Sequence, residues 1–385
     1  MSEVKEIYPD HSKEVRKEMH KILKDIVTPA GIVYPVEKVA DYYVNASTII
    51  YGPSNSGKTK IINEIMYLCR NIIPNVIVIC NQNSQKNYNG KVPALCIKND
   101  LTKENLISIW QRQADLKRVC NAADNLANLR RLYNRCRSSA IDSKLNTFER
   151  EYNQHVARIQ NDSSLNVESQ QTQLGRLCEF YEDGVRKIYK QQIAKNLAIL
   201  YSNFDELCIE EKICLTYYDT NPKLMLIFDD VTEMFKKWMG YFKKEANPFH
   251  SIFFQGRHND ISIVIAAHDN KFILPELRKN ARNAFFTHMA PLTVSLRDSP
   301  AHERRQIQTL AGAVFDVENE EKTGIKKYQK YCYIREDTRP HRYTVASLYG
   351  DFKVGCQQLW DLSKKLEGKK NDLSKNKFVS DLMDM

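Results

Sequence analysis

Ile49-Ile50-Tyr51-Gly52-Pro53-Ser54-Asn55-Ser56-Gly57-Lys58-Thr59 reads as a short buried strand running into G-x-x-x-x-G-K-T, the phosphate-binding loop of a nucleoside triphosphatase. The chemistry explains the spacing. Gly52 and Gly57 let the backbone curl, so that the amides of Pro53-flanked Ser54, Asn55 and Ser56 point inward as an anion nest. Lys58 supplies a mobile cation for the β- and γ-phosphates, and the Thr59 hydroxyl can ligate Mg²⁺. The helix that follows, from Lys58 and Lys60 to about Arg70, carries Ile61, Ile62, Ile65, Met66 and Leu68 at near-helical spacing. Its positive dipole end is aimed at the same phosphates. ATP and Mg²⁺ are therefore the expected ligands. The bland reading is a glycine turn that binds nothing, and the strand–loop–helix context argues against it.

A chain of 385 residues can bury a full α/β core and still carry one substantial insertion. Hydrophobic content of 42% and charged content of 27% are those of an ordinary globular protein. The apolar runs, such as Leu224-Met225-Leu226-Ile227-Phe228, are far too short for a membrane span, and Met1-Ser2-Glu3-Val4-Lys5 lacks a secretory h-region. The 10 cysteines are scattered, with neither a C-x-x-C pair nor a zinc-like cluster, and read as reduced thiols of an intracellular protein. Net charge is +10, from 57 Lys+Arg against 47 Asp+Glu. That balance suits a polyanionic partner without establishing one.

Residues 1–46 read as an N-terminal extension: a helix from about His11 to Ile26, a turn at Thr28-Pro29-Ala30-Gly31, then an extended piece. Residues 47–99 and 221–350 read as the ATPase core, 100–220 as a helical insertion, and 351–385 as a C-terminal helix and basic tail ending in the amphipathic Phe378-to-Met383 piece. Within the core, Asn75-Val76-Ile77-Val78-Ile79-Cys80 reads as a parallel strand buried on both faces. The polar run Asn81 to Asn89 is the loop at its carboxyl end, where doubly wound folds place ligands.

Between Pro93 and Pro222 there is no proline, and only Gly175 and Gly184 interrupt the stretch 100–220. Leu116, Val119, Ala123, Leu126, Leu129 and Tyr133 follow the spacing of one amphipathic helix, and a second pattern runs from about Gln173 to Glu206. The expectation is an antiparallel helical insertion. Its first part carries Arg112, Lys117, Arg118, Arg130, Arg131, Arg135 and Arg137 against only Asp115 and Asp124. Such a face is either solvated or a DNA contact.

Pro222-Lys223-Leu224-Met225-Leu226-Ile227-Phe228-Asp229-Asp230 is an apolar strand ending in paired carboxylates, the Walker B pattern. Asp229 is the expected Mg²⁺ ligand and Asp230 the water-polarising base, with Glu233 in reserve. Ile261-Ser262-Ile263-Val264-Ile265-Ala266-Ala267 forms another core strand, and His268 at its tip is placed to sense the γ-phosphate. Ala284-Phe285-Phe286 marks a last core strand. Tyr331-to-Ile334 and Arg342-to-Val345 read as an antiparallel hairpin at the sheet edge. No arginine lies in the phosphate loop or the Walker B strand, so a charge-stabilising arginine must come from elsewhere, across a subunit interface. Arg257 is the first candidate, because Gly256 allows a sharp turn there; Arg278 and Arg282 are alternatives. The competing role for Arg257 is an ion pair with Asp260 that holds its loop.

Together these residues resemble a known family. Gly52 to Thr59, Ile227-Phe228-Asp229-Asp230, Gly256-Arg257-His258 before Ile261-Ser262-Ile263-Val264, and Leu274-Pro275-Glu276-Leu277-Arg278 look like the DNA-packaging ATPases of poxviruses and other large cytoplasmic DNA viruses. That group lies within the FtsK/HerA-like translocases. The resemblance covers roughly 45–100 and 220–350; its members carry Gln where this chain has His268, and the insertion does not align. It implies an α/β P-loop NTPase of the RecA/ASCE-like class, with a mainly parallel sheet, helices on both faces, a C-terminal β-hairpin and a long α-helical insertion. It further implies a homo-oligomeric ring that pumps double-stranded DNA, gripped by its phosphate backbone, into a preformed capsid. Capsid or portal-vertex proteins would be its partners, and the host cytoplasm (viral factory) or the virion its place. The residues themselves stop at an Mg-dependent NTPase with a basic surface. They leave open a helicase or remodelling ATPase, and a non-translocating nucleotide-dependent scaffold.

Overall fold

The computed structural model describes residues 24–100, 102–231, 234, 248–268, 273, 275–297, 299–315, 329–345 and 351–374. Two compact units emerge, one built from residues up to Gln113 together with those from Lys223 onward, the other from Ala114–Pro222.

The first unit is a ten-stranded sheet. Its strands are β1 (Ile26–Thr28), β2 (Gly31–Pro35), β3 (Ser47–Tyr51), β4 (Asn75–Cys80), β5 (Ile97–Lys98), β6 (Leu224–Asp229), β7 (Ile261–Ala267), β8 (Asn283–Phe286), β9 (Gln329–Ile334) and β10 (His341–Val345). They lie in the order β1-β2-β10-β9-β8-β3-β7-β6-β4-β5. From β8 to β5 every pairing is parallel. The strand bearing His268 at its tip thus lies between the phosphate-loop strand β3 and the Walker B strand β6. This is the expected α/β class, a mostly parallel sheet with helices on both faces.

Apolar residues on both sides of each central strand give the unit two cores, as parallel sheets require. One face buries Ile49, Tyr51, Phe228, Ile265 and Phe286 under the helices Pro248–Gln255, Pro275–Asn280, Met289–Ser295 and Ala301–Phe315. The other buries Ile50, Ile227, Ala266 and Phe285 against Ile61, Ile62, Ile65 and Met66 of the phosphate-loop helix Lys58–Cys69.

Several expectations need correcting. The helix over His11–Ile26 lies almost wholly outside the described residues, but its last residue is in β1: Ile26 and Val27 pair with Val33 and Ile32 across the expected turn. The Thr28 hydroxyl closes that turn on Gly31 O at 2.9 Å. The hairpin β9–β10 is not an edge. Arg342 and Tyr343 of β10 pair in parallel with Tyr34 and Pro35 of β2, so the N-terminal segment covers that side and satisfies its backbone groups. The tail piece Phe378–Met383 lies outside the described residues.

The second unit is helical and buries Leu129, Leu132, Tyr133, Val185, Tyr189, Ile193, Leu200, Leu207, Cys214 and Leu215. The pattern from Leu116 to Tyr133 is two helices, Lys103–Ala123 and Leu126–Asn134, not one. Asn125 breaks it by turning extended (φ −63°, ψ 129°), and its side chain caps Ala127 N at 2.9 Å. The second pattern is likewise divided, into Val167–Lys195, Leu197–Ser202 and a 3₁₀ turn Phe204–Glu206. The basic run is partly neutralised by acids outside it, one far along the chain and one five residues on. Arg135 makes a two-pronged bond to Glu211 at 3.0 and 3.1 Å, and Arg137 meets Asp142 at 3.1 Å.

Candidate nucleotide-binding site

The phosphate loop leaves β3 at Tyr51 and is pinned at once, Gly52 N donating to Ala267 O at 3.1 Å. A Cβ on Gly52 would stand 2.0 Å from Thr287 Oγ1 and 2.5 Å from Ser56 Oγ, so only glycine fits. The curl itself rests on two left-handed residues, Asn55 (φ 59°) and Gly57 (φ 90°). Gly57 then opens the helix, receiving Lys60 N and Ile61 N on its carbonyl at 3.1 and 3.3 Å. Pro53, Ser54 and Asn55 lie exposed at the loop's rim, while Ser56 Oγ is buried with no described partner. That orphaned hydroxyl, and a cradle that one Cβ would fill, fit a phosphate chain.

Lys58 is 6% exposed, and its amine donates to Gly52 O at 2.8 Å and Pro53 O at 2.7 Å. Burial lowers its pKa from the ordinary lysine value, and the charges of Asp229 and Asp230 push back. Thr59 Oγ1 donates to Asp229 Oδ2 at 3.1 Å, which brings together the two expected Mg²⁺ ligands. Among the described residues no cluster of three or more His, Cys, Asp or Glu is placed to hold a metal. A hydroxyl and one carboxylate suit Mg²⁺, which is commonly held by a carboxylate or two plus substrate phosphates and water. Asp229 is buried, and burial raises its pKa despite the hydroxyls of Tyr88 and Thr59 and the Lys58 charge.

Asp230 sits differently. It takes a left-handed backbone (φ 58°), and its side chain stays 39% exposed. One carboxylate oxygen meets His268 Nε2 at 2.5 Å and the other accepts from Asn81 Nδ2. The other His268 nitrogen, Nδ1, lies 3.4 Å from Ser54 Oγ of the phosphate loop. His268 therefore bridges the loop and the second Walker B carboxylate. Glu233 lies outside the described residues.

The arginines are elsewhere. Arg257 is exposed and lies in the 3₁₀ turn Gly256–Asn259, at the amino end of β7, the end opposite the phosphate loop. With Asn45, Ser47, Phe254, Arg282 and Glu336 it lines a cavity of about 270 Å³. The sharp turn after it falls at Asp260 (φ 57°) and not at Gly256, where a Cβ would crowd Ile261 Cβ at 3.2 Å. The competing Arg257–Asp260 pair does not form: Asp260 accepts from Asn45 Nδ2 at 2.9 Å. Arg282 pairs with Glu336 at 3.2 Å. Arg278 lines a cavity of about 240 Å³ with Tyr51, Phe286, Tyr331 and Arg335, on the face away from the phosphate-loop helix.

Two polar residues escaped the sequence reading. Tyr88, fully buried, donates to Asp229 Oδ2 at 2.7 Å, and Asn81 holds both Asp230 and, at 2.8 Å, the amide of Ser84. Both belong to the Asn81–Asn89 loop, whose place at a strand's carboxyl end was legible, although nothing in it singled out these two.

No family model matches the chain. It is similar to protein B354L of African swine fever virus, a large DNA virus: 27% identical over 373 residues to that of the Kenyan isolate KEN-50, covering 91% of this chain and 96% of the relative. The Malawi isolate Lil 20-1 and the Badajoz 1971 strain carry versions 26% identical over 374 residues, with the same coverage. Among solved structures, the bacterial conjugative coupling protein TrwB aligns at 10% identity, in a sulphate complex (TM-score 0.34) and in a complex with ADP and Mg²⁺ (TM-score 0.33). Those alignments cover 87% of this chain and 93% and 92% of TrwB, and are too loose to carry an argument about it.

Proposed function

We propose that this protein is an Mg²⁺-dependent ATPase that works as a motor on double-stranded DNA, packaging a viral genome into a capsid from within an oligomeric ring in the host cytoplasm. The observation that carries the ATPase reading is the convergence of Lys58, Thr59 and Asp229 at one end of the central strands, around a loop only glycine can close. The motor reading draws support from the order and spacing of the resembling motifs, from the African swine fever virus relatives, and from a net charge of +10.

The residues divide the work. The loop amides and Lys58 hold the phosphates, and Lys58, already desolvated, gives up little hydration on meeting them. Thr59 and Asp229 would hold Mg²⁺, which when bound neutralises charge on the phosphate oxygens. Asp230 accepts a proton from the attacking water, and Asn81 and His268 fix the orientation of its carboxylate. Through Ser54, His268 ties that orientation to the shape of the phosphate loop.

ATP hydrolysis measured with and without duplex DNA tests the reading. Turnover should rise with DNA, and the DNA affinity should fall steeply with salt while ignoring sequence. Lys58→Ala should lose nucleotide binding, whereas Asp230→Asn should bind ATP and fail to hydrolyse it. Wild-type turnover in Asp230→Asn would move the base elsewhere, and absence of ATPase activity under all conditions would sink the enzyme reading.

A further inference from the structure

On the face of the sheet opposite the phosphate-loop helix, a cavity of about 240 Å³ lies beneath the helices Pro275–Asn280, Met289–Ser295 and Ala301–Phe315. Rings from three neighbouring strands make its floor. Tyr51 of β3 stacks on Phe286 of β8 with centroids 5.1 Å apart, and Tyr331 of β9 lies 6.3 Å from Phe286. The walls carry charge: Arg278, Lys279 and Arg335 stand against the single carboxylate of Glu303. Lys279 and Arg335 are exposed. Arg278 is half-buried, and its Nε is shut off from solvent with no hydrogen-bond partner among the described residues. Tyr51 is 2% exposed, and no described residue hydrogen-bonds its hydroxyl. Burial raises the pKa of that hydroxyl and the nearby Arg278 charge opposes the rise.

Protein interiors hold few voids larger than a water molecule, so a cavity of this size against buried rings calls for an occupant. Water fills such space only where it meets two to four polar partners, which a floor of rings does not offer. A guanidinium nitrogen and a hydroxyl left unpaired add the cost of lost hydration. A flat ring laid on Tyr51, Phe286 and Tyr331, with an anionic group at Arg278, removes all of these costs together. The volume falls below the roughly 300–1,000 Å³ of drug-sized sites, which limits the occupant to one or two rings.

We propose that this cavity is a second ligand site, taking a small aromatic anion, one or two rings bearing a carboxylate or a phosphate, with Arg278 as its principal cation. The site adjoins the phosphate loop. Tyr51 immediately precedes Gly52, and its carbonyl accepts at 3.0 Å from the amide of Thr287, the residue whose hydroxyl stands against Gly52. An occupant that pins Tyr51 and Phe286 steadies both strand ends under the loop. Ligand and Mg·ATP should therefore raise each other's affinity by the same factor. That coupling, unlike the cavity's own binding, rests on the reading of Gly52–Thr59 as an ATP site.

The probes are naphthoate, naphthyl phosphate and the uncharged naphthamide, titrated onto the full chain with its phosphate loop filled by Mg·ADP. An acid probe should show one saturable site per chain, with the amide weaker by about 10-fold or more. The tighter of the two acids identifies the anionic group. Light-activated azidobenzoate should label peptides within 275–307, and excess acid probe should suppress that label. Arg278→Gln should weaken the acids by about 10- to 100-fold and leave the amide unchanged, a split that a merely structural loss would not produce. No saturable binding, equal binding of acids and amide, label confined to other peptides, or wild-type acid affinity in Arg278→Gln would each overturn the site. Should that variant not fold, the probes and the labelling of the wild type decide. A bound probe that leaves Mg·ATP affinity unaltered would remove the coupling alone. A working probe site in a chain that binds no nucleotide would instead remove the ATP reading and keep the cavity's.

Discussion

Asp229 holds its charge in an unfavourable place. Its carboxylate is buried, and the donors that Tyr88 and Thr59 direct at one oxygen do not offset the desolvation, which is why its pKa is raised above the ordinary aspartate value. The sign follows from linkage. A carboxyl that binds its proton more tightly folded than unfolded makes the fold lose stability as pH rises from the unfolded pKa through the raised one. The charged carboxylate carries this cost in the free protein, and a bound divalent cation reverses it. Asp229→Asn should accordingly melt at a higher temperature than the wild type when no nucleotide is present, and should gain no stability when Mg·ATP is added. Thermal melting with and without the ligand reads both. A variant that melts lower and is still stabilised by Mg·ATP would show that Asp229 is a structural acceptor and not the metal ligand. Asp230, one residue beyond the end of the buried strand, stands at the solvent edge.

At the scale of elements, the helical unit turns on one close contact. Gly184 sits inside the helix Val167–Lys195, facing Phe148 of the helix Ser139–Gln160, and a Cβ there would stand 2.5 Å from the ring. In an isolated helix Gly→Ala gains about 1 kcal/mol; forcing a methyl into a packed contact costs about 1–3 kcal/mol. Overpacking wins here, because Phe148 is also held against Tyr181, its ring centroid 5.2 Å away. Gly184→Ala should destabilise the unit by about 1–2 kcal/mol in denaturant titration; Gly175→Ala, with open space around it, should stabilise it. If both stabilise, the interhelical contact is looser than this geometry. The contrast also explains what could be read from the chain. Strands β3, β4, β6, β7 and β8 were legible because a strand buried on both faces leaves a continuous apolar run, and Lys58, Thr59 and Asp229 because their chemistry fixes their spacing. Tyr88, Asn81 and Gly184 were not, since each acts on a partner far away in sequence. Of the strands that cover the hairpin, β2 was legible only as an extended piece and β1 was assigned to the end of a helix, since neither carries the continuous apolar run of a central strand.

For the whole molecule, the position of Arg257 decides how it can act. Strands β3 and β7 are parallel and in register from Ser47↔Ile263 to Tyr51↔Ala267. The phosphate loop follows Tyr51, whereas Arg257 precedes Ile261. The two are thus separated by the length of the sheet, four residues or roughly 13 Å along the strand before either loop is counted. Within one chain Arg257 cannot reach its own Lys58. Its side chain is exposed and forms no ion pair with a described residue, so it is free to enter a neighbour's site if subunits pack amino end of the sheet against carboxyl end. Such a head-to-tail contact closes into a ring when its rotation allows. An arginine delivered in this way adds about 10³–10⁵ to the rate of phosphoryl transfer. Arg257→Ala subunits keep an intact phosphate loop, and Lys58→Ala subunits keep the arginine. Each alone should be nearly inactive, and mixtures should regain part of the ATPase activity, in proportion to the interfaces that unite a good loop with a good arginine. Arg282, tied to Glu336 in its own chain, should give no such recovery when mutated in the same scheme. Mixtures shown to co-assemble that stay inactive would exclude Arg257 as a finger acting between subunits, and would return it to the cavity wall it shares with Phe254 and Ser47.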